Sequence, residues 1–171
     1  MRDIVILGST GSIGVQALEV IAAHPSRFRV VGLSSGSKNL ARLEEQARTF
    51  NVPIIGTTGD GKCLRDSLPG VEVIDGAESA AQIASLPCDI VLNGITGSIG
   101  LGPTLAALNV GNTVALANKE SLVAGGDLVM KFGRDRIIPV DSEHSALFQA
   151  MLSGRAKDVS KFILDRKSTR L

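Results

Sequence analysis

The stretch ILGSTGSIGVQALEVI, residues 6–21, decides the fold because it joins an apolar strand to a helix through a glycine-rich turn. Gly8, Gly11 and Gly14 stand at three-residue intervals, in the place where a βαβ unit binds a dinucleotide. Glycine lets the backbone turn sharply and approach a pyrophosphate, whose charge is balanced by the free N–H groups at the helix N-terminus. The alternative is a tight βα turn without a ligand.

Short apolar runs alternate with segments of helical period along the chain, which predicts βαβ units in a doubly wound, mostly parallel α/β sheet of the Rossmann type. The predicted strands are residues 4–7, 28–33, 52–55, 71–74, 89–93, 113–117 and 136–140. The predicted helices are residues 12–23, 40–50, 77–84, 103–108, 121–132 and 146–151. The first helix is expected to present Ile13, Ala17 and Ile21 on one face, and residues 56–62 to form a flexible surface loop.

Composition and charge exclude several classes of function. The 171 residues carry a formal net charge of +1, without the basic run or aromatic strip of a nucleic-acid groove. No apolar stretch reaches the length of a membrane span, and the first residues lead into a strand without an export signal. Cys63 and Cys88 lack CxxC spacing and nearby histidines, so the sequence supports neither a zinc site nor a disulfide framework. We therefore expect a cytoplasmic protein without a nucleic-acid or membrane partner.

The turn after the second strand predicts which dinucleotide is bound. About 20 residues beyond the glycine loop, NAD enzymes carry an acid for the ribose hydroxyls. This chain has LSSGSKN at residues 33–39 and no carboxylate before Glu44. The serine hydroxyls, the Lys38 cation and the Asn39 amide would accept a 2′-phosphate, which an acid would repel. The pattern favours NADP over NAD, with a solvated polar turn as the alternative.

The pentapeptide TGSIG occurs at residues 10–14 and again at 96–100, each time after a strand. In a doubly wound sheet of order 3-2-1-4-5-6 the first and fourth strands are neighbours, so the loops at their carboxyl ends face one crevice. We expect the first loop to hold the pyrophosphate and the second to let the nicotinamide half pass near Gly94 and Gly97. The dissimilar surroundings of the copies indicate no duplication, and coincidence explains their identity equally well.

Two polar stretches follow the last strands, at the edge where open α/β sheets bind ligands. In ANKESL, residues 117–122, an amide, a cation and an acid are placed to hold a substrate phosphate and the nicotinamide half. In PVDSEHSALF, residues 139–148, Asp141 and Glu143 would share one side of an extended chain and suit Mg²⁺ or Mn²⁺, with further ligands from substrate and water. We take His144 as a non-ligand. Helix capping is the alternative in both stretches.

In combination, ILGSTGSIG, ANKESLV and PVDSEHSALFQ resemble the N-terminal part of the 1-deoxy-D-xylulose 5-phosphate reductoisomerases, over residues 1–164. The resemblance implies an NADPH-dependent enzyme of isoprenoid biosynthesis, homodimeric at full length, that rearranges and reduces this phosphosugar to 2-C-methyl-D-erythritol 4-phosphate. The NADPH-binding residues implied are Thr10, Gly11, Ser12, Ile13, Gly36, Lys38, Asn39, Asn118 and Glu120, with Ser37 able to replace a neighbour in a turn one residue longer. The implied substrate contacts are Lys119, Ser142 and Glu143, and the implied ligands of Mg²⁺ or Mn²⁺ are Asp141 and Glu143.

The chain departs from the family pattern after residue 164, where family members continue with a third carboxylate ligand and a helical domain. We expect an NADPH-binding domain over residues 1–140, the incomplete start of a catalytic domain over 141–164, and a non-native tail, DRKSTRL, over 165–171. Such a chain would bind NADPH without turning over substrate. A strand expected near residues 158–164 would expose an unpaired edge.

Two other functions stay open. One is another NADP-linked Rossmann dehydrogenase, for example of the aspartate-semialdehyde or dihydrodipicolinate type. The former would need a nucleophilic cysteine, and neither Cys63 nor Cys88 has an activating context. A non-catalytic NADP-sensing module would have no use for the acidic DSE cluster at residues 141–143. Metal-dependent substrate binding therefore separates the reductoisomerase hypothesis from the sensing module.

Overall fold

The computed structural model describes residues 1–163 as one parallel sheet with helices on both faces. The strands are β1 (Arg2–Leu7), β2 (Phe28–Ser35), β3 (Ile54–Thr57), β4 (Glu72–Asp75), β5 (Ile90–Asn93), β6 (Thr113–Leu116) and β7 (Ile137–Pro139). The α-helices are α1 (Ser12–Ala23), α2 (Leu40–Thr49), α3 (Lys62–Ser67), α4 (Ser79–Ala84), α5 (Leu101–Asn109), α6 (Lys119–Met130) and α7 (Ser142–Met151).

The sheet has seven strands in the order β4-β3-β2-β1-β5-β6-β7, and every pairing is parallel. This order contains the predicted 3-2-1-4-5-6 arrangement, with β4 added at the edge beyond β3 and with β5, β6 and β7 in the fourth to sixth places. The prediction of a doubly wound α/β sheet is confirmed. The reversal of strand order falls between β1 and β5, which is where such sheets bind ligands.

β1 lies at the centre of the sheet and is apolar on both faces, so it joins two hydrophobic cores. Ile4 and Ile6 pack with residues of α1, α2 and α3 on one face. Val5 and Leu7 pack with residues of α4, α5 and α6 on the other. A strand covered on both faces needs no polar alternation, which is why the continuous apolar run predicted it correctly.

The six predicted helices are present, and all but α1 have shifted bounds, among them α7, which begins four residues earlier than predicted; one helix, α3, was not predicted. The buried face of α1 is formed by Gly14, Leu18 and Ile21, whereas Ile13 is 36% exposed and Ala17 is half-buried. The first two positions of the expected face are therefore each displaced by one residue. The loop expected over residues 56–62 is shorter in the structure, because Gly56 and Thr57 belong to β3 and Lys62 is the first residue of α3. No helix within residues 1–163 is long and apolar enough to cross a membrane.

The segment after α7 contains no strand over residues 158–163, so the strand expected at residues 158–164 is wrong across that range. A short 3-10 turn spans Ala156–Asp158 and is followed by irregular backbone. Arg155 pairs with Asp158 across this turn, with Nε and Oδ2 2.8 Å apart, which favours a turn over an extended chain. Residue 164 and the tail expected at 165–171 lie outside the described residues.

Gly14 provides a test of the packing of α1 on the first glycine loop. A Cβ atom at this position would lie 2.5 Å from both the Gly8 carbonyl oxygen and Ser9 Cα, and neither backbone atom has room to move away. We expect Gly14→Ala to lower the free energy of unfolding by at least about 2 kcal/mol. Gly126→Ala is the control, because nothing lies within 4 Å of its added methyl group. Urea denaturation measures both, and equal stability of the two variants would contradict the packing.

The two cysteines should differ in reactivity. Cys63 is exposed, whereas Cys88 is half-buried and burial raises its pKa to about 11. At pH 8 about one Cys88 thiol in a thousand is then ionised, and the thiolate is the reactive form. Mass spectrometry of the folded protein after timed iodoacetamide treatment should show Cys63 modified well before Cys88, and equal modification in urea. Equal rates in the folded protein would show that Cys88 is not shielded.

Candidate functional site

The two glycine loops lie against each other at the carboxyl ends of β1 and β5. These strands pair with Leu7 opposite Asn93, and the Gly94 amide donates to the Leu7 carbonyl oxygen at 3.0 Å. Gly8 has a φ of +75°, and a Cβ atom there would lie 3.0 Å from the Gly94 carbonyl oxygen. The prediction that both loops face one crevice is confirmed.

The first loop leaves the N-terminus of α1 open to an anion. Gly11 is the N-cap, and no side chain caps the helix there. Gly11, Ser12 and Ile13 are all exposed. Free N–H groups and the helix dipole together attract a phosphate, so this end of α1 fits the pyrophosphate of a dinucleotide.

A cavity of about 590 Å³ runs along the carboxyl edge of the sheet beside these loops. Of the residues expected at the dinucleotide site, Gly11, Gly36 and Gly94 line it. Its other lining residues include Ser34, Ser35, Thr58, Glu78, Ala81, Ile95, Thr96, Ile99 and Pro103. The wall formed by Thr58 and the start of α4 was missed, because nothing in the sequence marks these residues except their position after β3 and β4.

The predicted 2′-phosphate turn leaves the sheet at the end of β2. Ser34 and Ser35 are buried, whereas residues 36–39 are exposed, and Ser37–Asn39 form a short 3-10 turn leading into α2. Asn39 precedes α2 without capping it through its side chain. Within residues 1–163, the side chains of Ser37, Lys38 and Asn39 form no hydrogen bond or ion pair, which leaves them available to a phosphate.

Asn118 is buried, and its amide is used within the protein. Its Oδ1 accepts the Ser121 N–H at 2.7 Å and so caps α6, as the capping alternative expected. Its Nδ2 donates to the carbonyl oxygens of Ile95 and, at 2.7 Å, Gly97. Asn118 therefore fastens the second glycine loop to the start of α6 and leaves Lys119 and Glu120 in the first turn of that helix.

The acidic DSE cluster, Asp141 to Glu143, adopts a helical rather than an extended conformation. Asp141 is the N-cap of α7 and accepts the His144 N–H at 3.0 Å, and His144 Nδ1 lies 2.7 Å from Asp141 Oδ1. Ser142 Oγ donates to Glu143 Oε2 at 2.8 Å. The extended geometry expected for the two carboxylates is wrong, because the N-cap converts the chain to a helix one residue after Asp141.

Both carboxylates are held in their ionised form. The Ser142 hydroxyl, the backbone N–H and the Lys119 charge lower the pKa of Glu143. Burial opposes ionisation of Asp141, but the hydrogen bonds from His144 and the Lys119 charge outweigh it and lower its pKa too. Lys119 is thus brought close to two acids more than 20 positions away, because β6 and β7 are paired with Leu116 opposite Pro139.

Two ionised oxygen ligands fit a hard divalent cation, although they do not complete its coordination shell. Residues 1–163 contain no group of three or more histidine, cysteine, aspartate or glutamate side chains able to hold a metal. Asp141 lines a cavity of about 410 Å³. Its lining is largely apolar and includes Phe148, together with the polar residues Lys119, Arg134 and His144.

Comparison with known proteins agrees with this geometry. The sequence profile of 1-deoxy-D-xylulose 5-phosphate reductoisomerase matches residues 4–126. The reductoisomerase of Beutenbergia cavernae is 51% identical over an alignment of 171 positions. The alignment covers 95% of this chain and 43% of that protein. The chain therefore spans less than half the length of this relative.

Solved structures give the same result. A DOX-P reductoisomerase in complex with NADPH, fosmidomycin and magnesium superposes with a TM-score of 0.80 at 38% identity, covering 87% of this chain and 38% of that one. The Zymomonas mobilis reductoisomerase in complex with NADPH superposes with a TM-score of 0.81 at 37% identity, covering 86% and 41%. On its sequence and its fold, this chain belongs to the 1-deoxy-D-xylulose 5-phosphate reductoisomerase family.

Proposed function

We propose that this chain provides the NADPH-binding part and two metal ligands of an enzyme that converts 1-deoxy-D-xylulose 5-phosphate to 2-C-methyl-D-erythritol 4-phosphate. The observation that carries the proposal is the placement of the open α1 N-terminus and the Lys119, Asp141 and Glu143 cluster at the carboxyl edge of one sheet. The reaction needs a reduced nicotinamide and a cation at a phosphosugar, and this edge has groups suited to each.

The first glycine loop and the turn after β2 would bind the two ends of the adenosine moiety. Thr10, Ser12 and Ile13 offer backbone N–H groups to the pyrophosphate. The N–H of Gly11 donates to the Gly8 carbonyl oxygen at 3.0 Å, so Gly11 would contribute by letting the backbone come close to the ligand. Residues 36–39 offer a hydroxyl, an ammonium group and an amide to the 2′-phosphate. The nicotinamide half would then pass the second glycine loop toward Glu120. Since the amide of Asn118 is occupied, this residue would act through the loop that it holds.

The acidic cluster and Lys119 would hold the substrate. Asp141 and Glu143, both ionised, are suited to bind Mg²⁺ or Mn²⁺, which when bound would polarise the substrate carbonyl for rearrangement. Lys119 would balance the charge of the substrate and orient it, and the Ser142 hydroxyl is placed to contact it. With two protein ligands in residues 1–163, we propose that the 171-residue chain binds NADPH but does not turn over substrate by itself.

We also propose a domain boundary at residue 140. The sheet ends at Pro139, and α7 has no fully buried residue, in contrast to the other α-helices. The side chains of Phe148 and Leu152 are 41% and 71% exposed. A helix with this much exposed apolar surface is typical of the start of a second domain rather than of a finished Rossmann layer.

NADPH binding tests the first half of the proposal. Calorimetric titration of the chain should show NADPH bound much more tightly than NADH. Lys38→Ala should weaken NADPH binding about tenfold and change NADH binding less than about twofold, since Lys38 would contact only the 2′-phosphate. Lys131→Ala, at the far end of α6, is the matched control. Equal affinity of the folded chain for both dinucleotides would contradict the assignment of the turn.

Metal binding tests the second half. Water-proton relaxation with Mn²⁺ should reveal a weak site that Asp141→Asn and Glu143→Gln each weaken at least about tenfold, because each replaces an ionised oxygen ligand. Asparagine still caps a helix, so D141N preserves α7. Asp127→Asn, on the exposed side of α6, is the control. Mn²⁺ binding that is unchanged in both variants would show that Asp141 and Glu143 do not bind the metal.

We also expect no NADPH oxidation when substrate and Mg²⁺ are added to the chain.

A further inference from the structure

Gln46 is a buried polar residue that forms a long-range contact with the first glycine loop. It is the seventh residue of α2, in the second turn of the helix, and is 7% exposed. Its Nε2 donates to the Ser9 carbonyl oxygen at 2.9 Å, across 37 positions of sequence. Ser9 stands between Gly8 and Thr10, within the loop proposed to bind the pyrophosphate.

The Ser9 backbone is held from both sides. Its N–H donates to the carbonyl oxygen of Ser34 at 2.9 Å, and its carbonyl accepts from Gln46. Ser34 stands two residues before Gly36, where the proposed 2′-phosphate turn begins. The loop is therefore tied to β2 by its N–H and to α2 by its carbonyl, and the two elements flank the turn.

Core packing alone does not explain an amide at this position. Gln46 Oε1 and Ser9 Oγ have no hydrogen-bond partner among the described residues. A buried amide with one oxygen unpaired costs free energy that a methionine or leucine in the same space would avoid. This cost is offset by the hydrogen bond that Gln46 Nε2 donates to the Ser9 carbonyl oxygen in the glycine loop.

We propose that Gln46 is a positioning residue that keeps the pyrophosphate loop and the 2′-phosphate turn in register, so that NADPH engages both at once. α2 begins at Leu40, directly after the turn, and its backbone hydrogen bonds fix the distance from the turn to Gln46. A ligand that spans two subsites gains from both only when their spacing matches its own. This proposal rests on the proposed binding of NADPH.

The test compares ligands that use one subsite or both. Gln46→Met keeps the size of the side chain and removes its donor, and Gln16→Met on the exposed face of α1 is the matched control. Affinities are measured for NADPH, for NADH, which lacks the 2′-phosphate, and for adenosine 2′-monophosphate, which lacks the pyrophosphate. We expect Q46M to weaken NADPH binding about tenfold and to change the other two by less than about threefold. Q16M should change none of them.

The outcomes separate this proposal from the function on which it rests. If the wild-type chain is folded and binds no NADPH, the proposed function is wrong, and the role proposed for Gln46 is wrong with it. If the wild type binds NADPH and Q46M binds it equally well, or loses affinity for all three ligands to the same extent, Gln46 has no role in register. Gln46→Leu repeats the measurement with a residue better suited to a core, and failure of both variants to fold would assign Gln46 to stability and overturn the proposal.

Discussion

The close approach of two backbones, at Gly8 and Gly94, is the constraint on which the rest of the site depends. A side chain at Gly8 would press on the Gly94 carbonyl oxygen at 3.0 Å, and the positive φ of Gly8 is one that other residues rarely adopt. Because the loops after β1 and β5 can meet, the N-terminus of α1 opens toward the second loop, and one continuous crevice forms at the topological switch point.

The fold could be predicted from the sequence almost completely, because its signals are local. The central strands are short apolar runs buried on both faces, and glycines or polar turns that bound such runs make them easy to recognise. The edge strand β4 is only half-buried, with Glu72 and Asp75 exposed, and was recognised by its apolar centre. The errors arose where the sequence has no pattern for an element, or has a pattern that fits two kinds of structure. α3 has few residues and follows three glycines, and the stretch after α7 contains apolar residues that resemble a strand but pair with nothing among the described residues.

The candidate site was harder to predict because its polar residues serve structure as well as chemistry. Asn118 was expected to hold a ligand or to cap a helix, and the structure shows its amide capping α6 and binding the second loop at once. Gln46 gave no signal at all, because a glutamine in an amphipathic helix is ordinarily solvated. Long-range hydrogen bonds of this kind depend on how helices pack, which the sequence pattern does not encode.

Capping and metal binding are compatible at Asp141, and the combination has a physical advantage. A side chain that already accepts the His144 N–H has a fixed rotamer, so it loses less conformational entropy when a cation binds than a free side chain would. The hydrogen bonds that fix it also lower its pKa, which keeps this carboxylate ionised in spite of its burial. The capping alternative is therefore no argument against the metal site. The cap gives an acid close to Lys119 a fixed position at the start of α7.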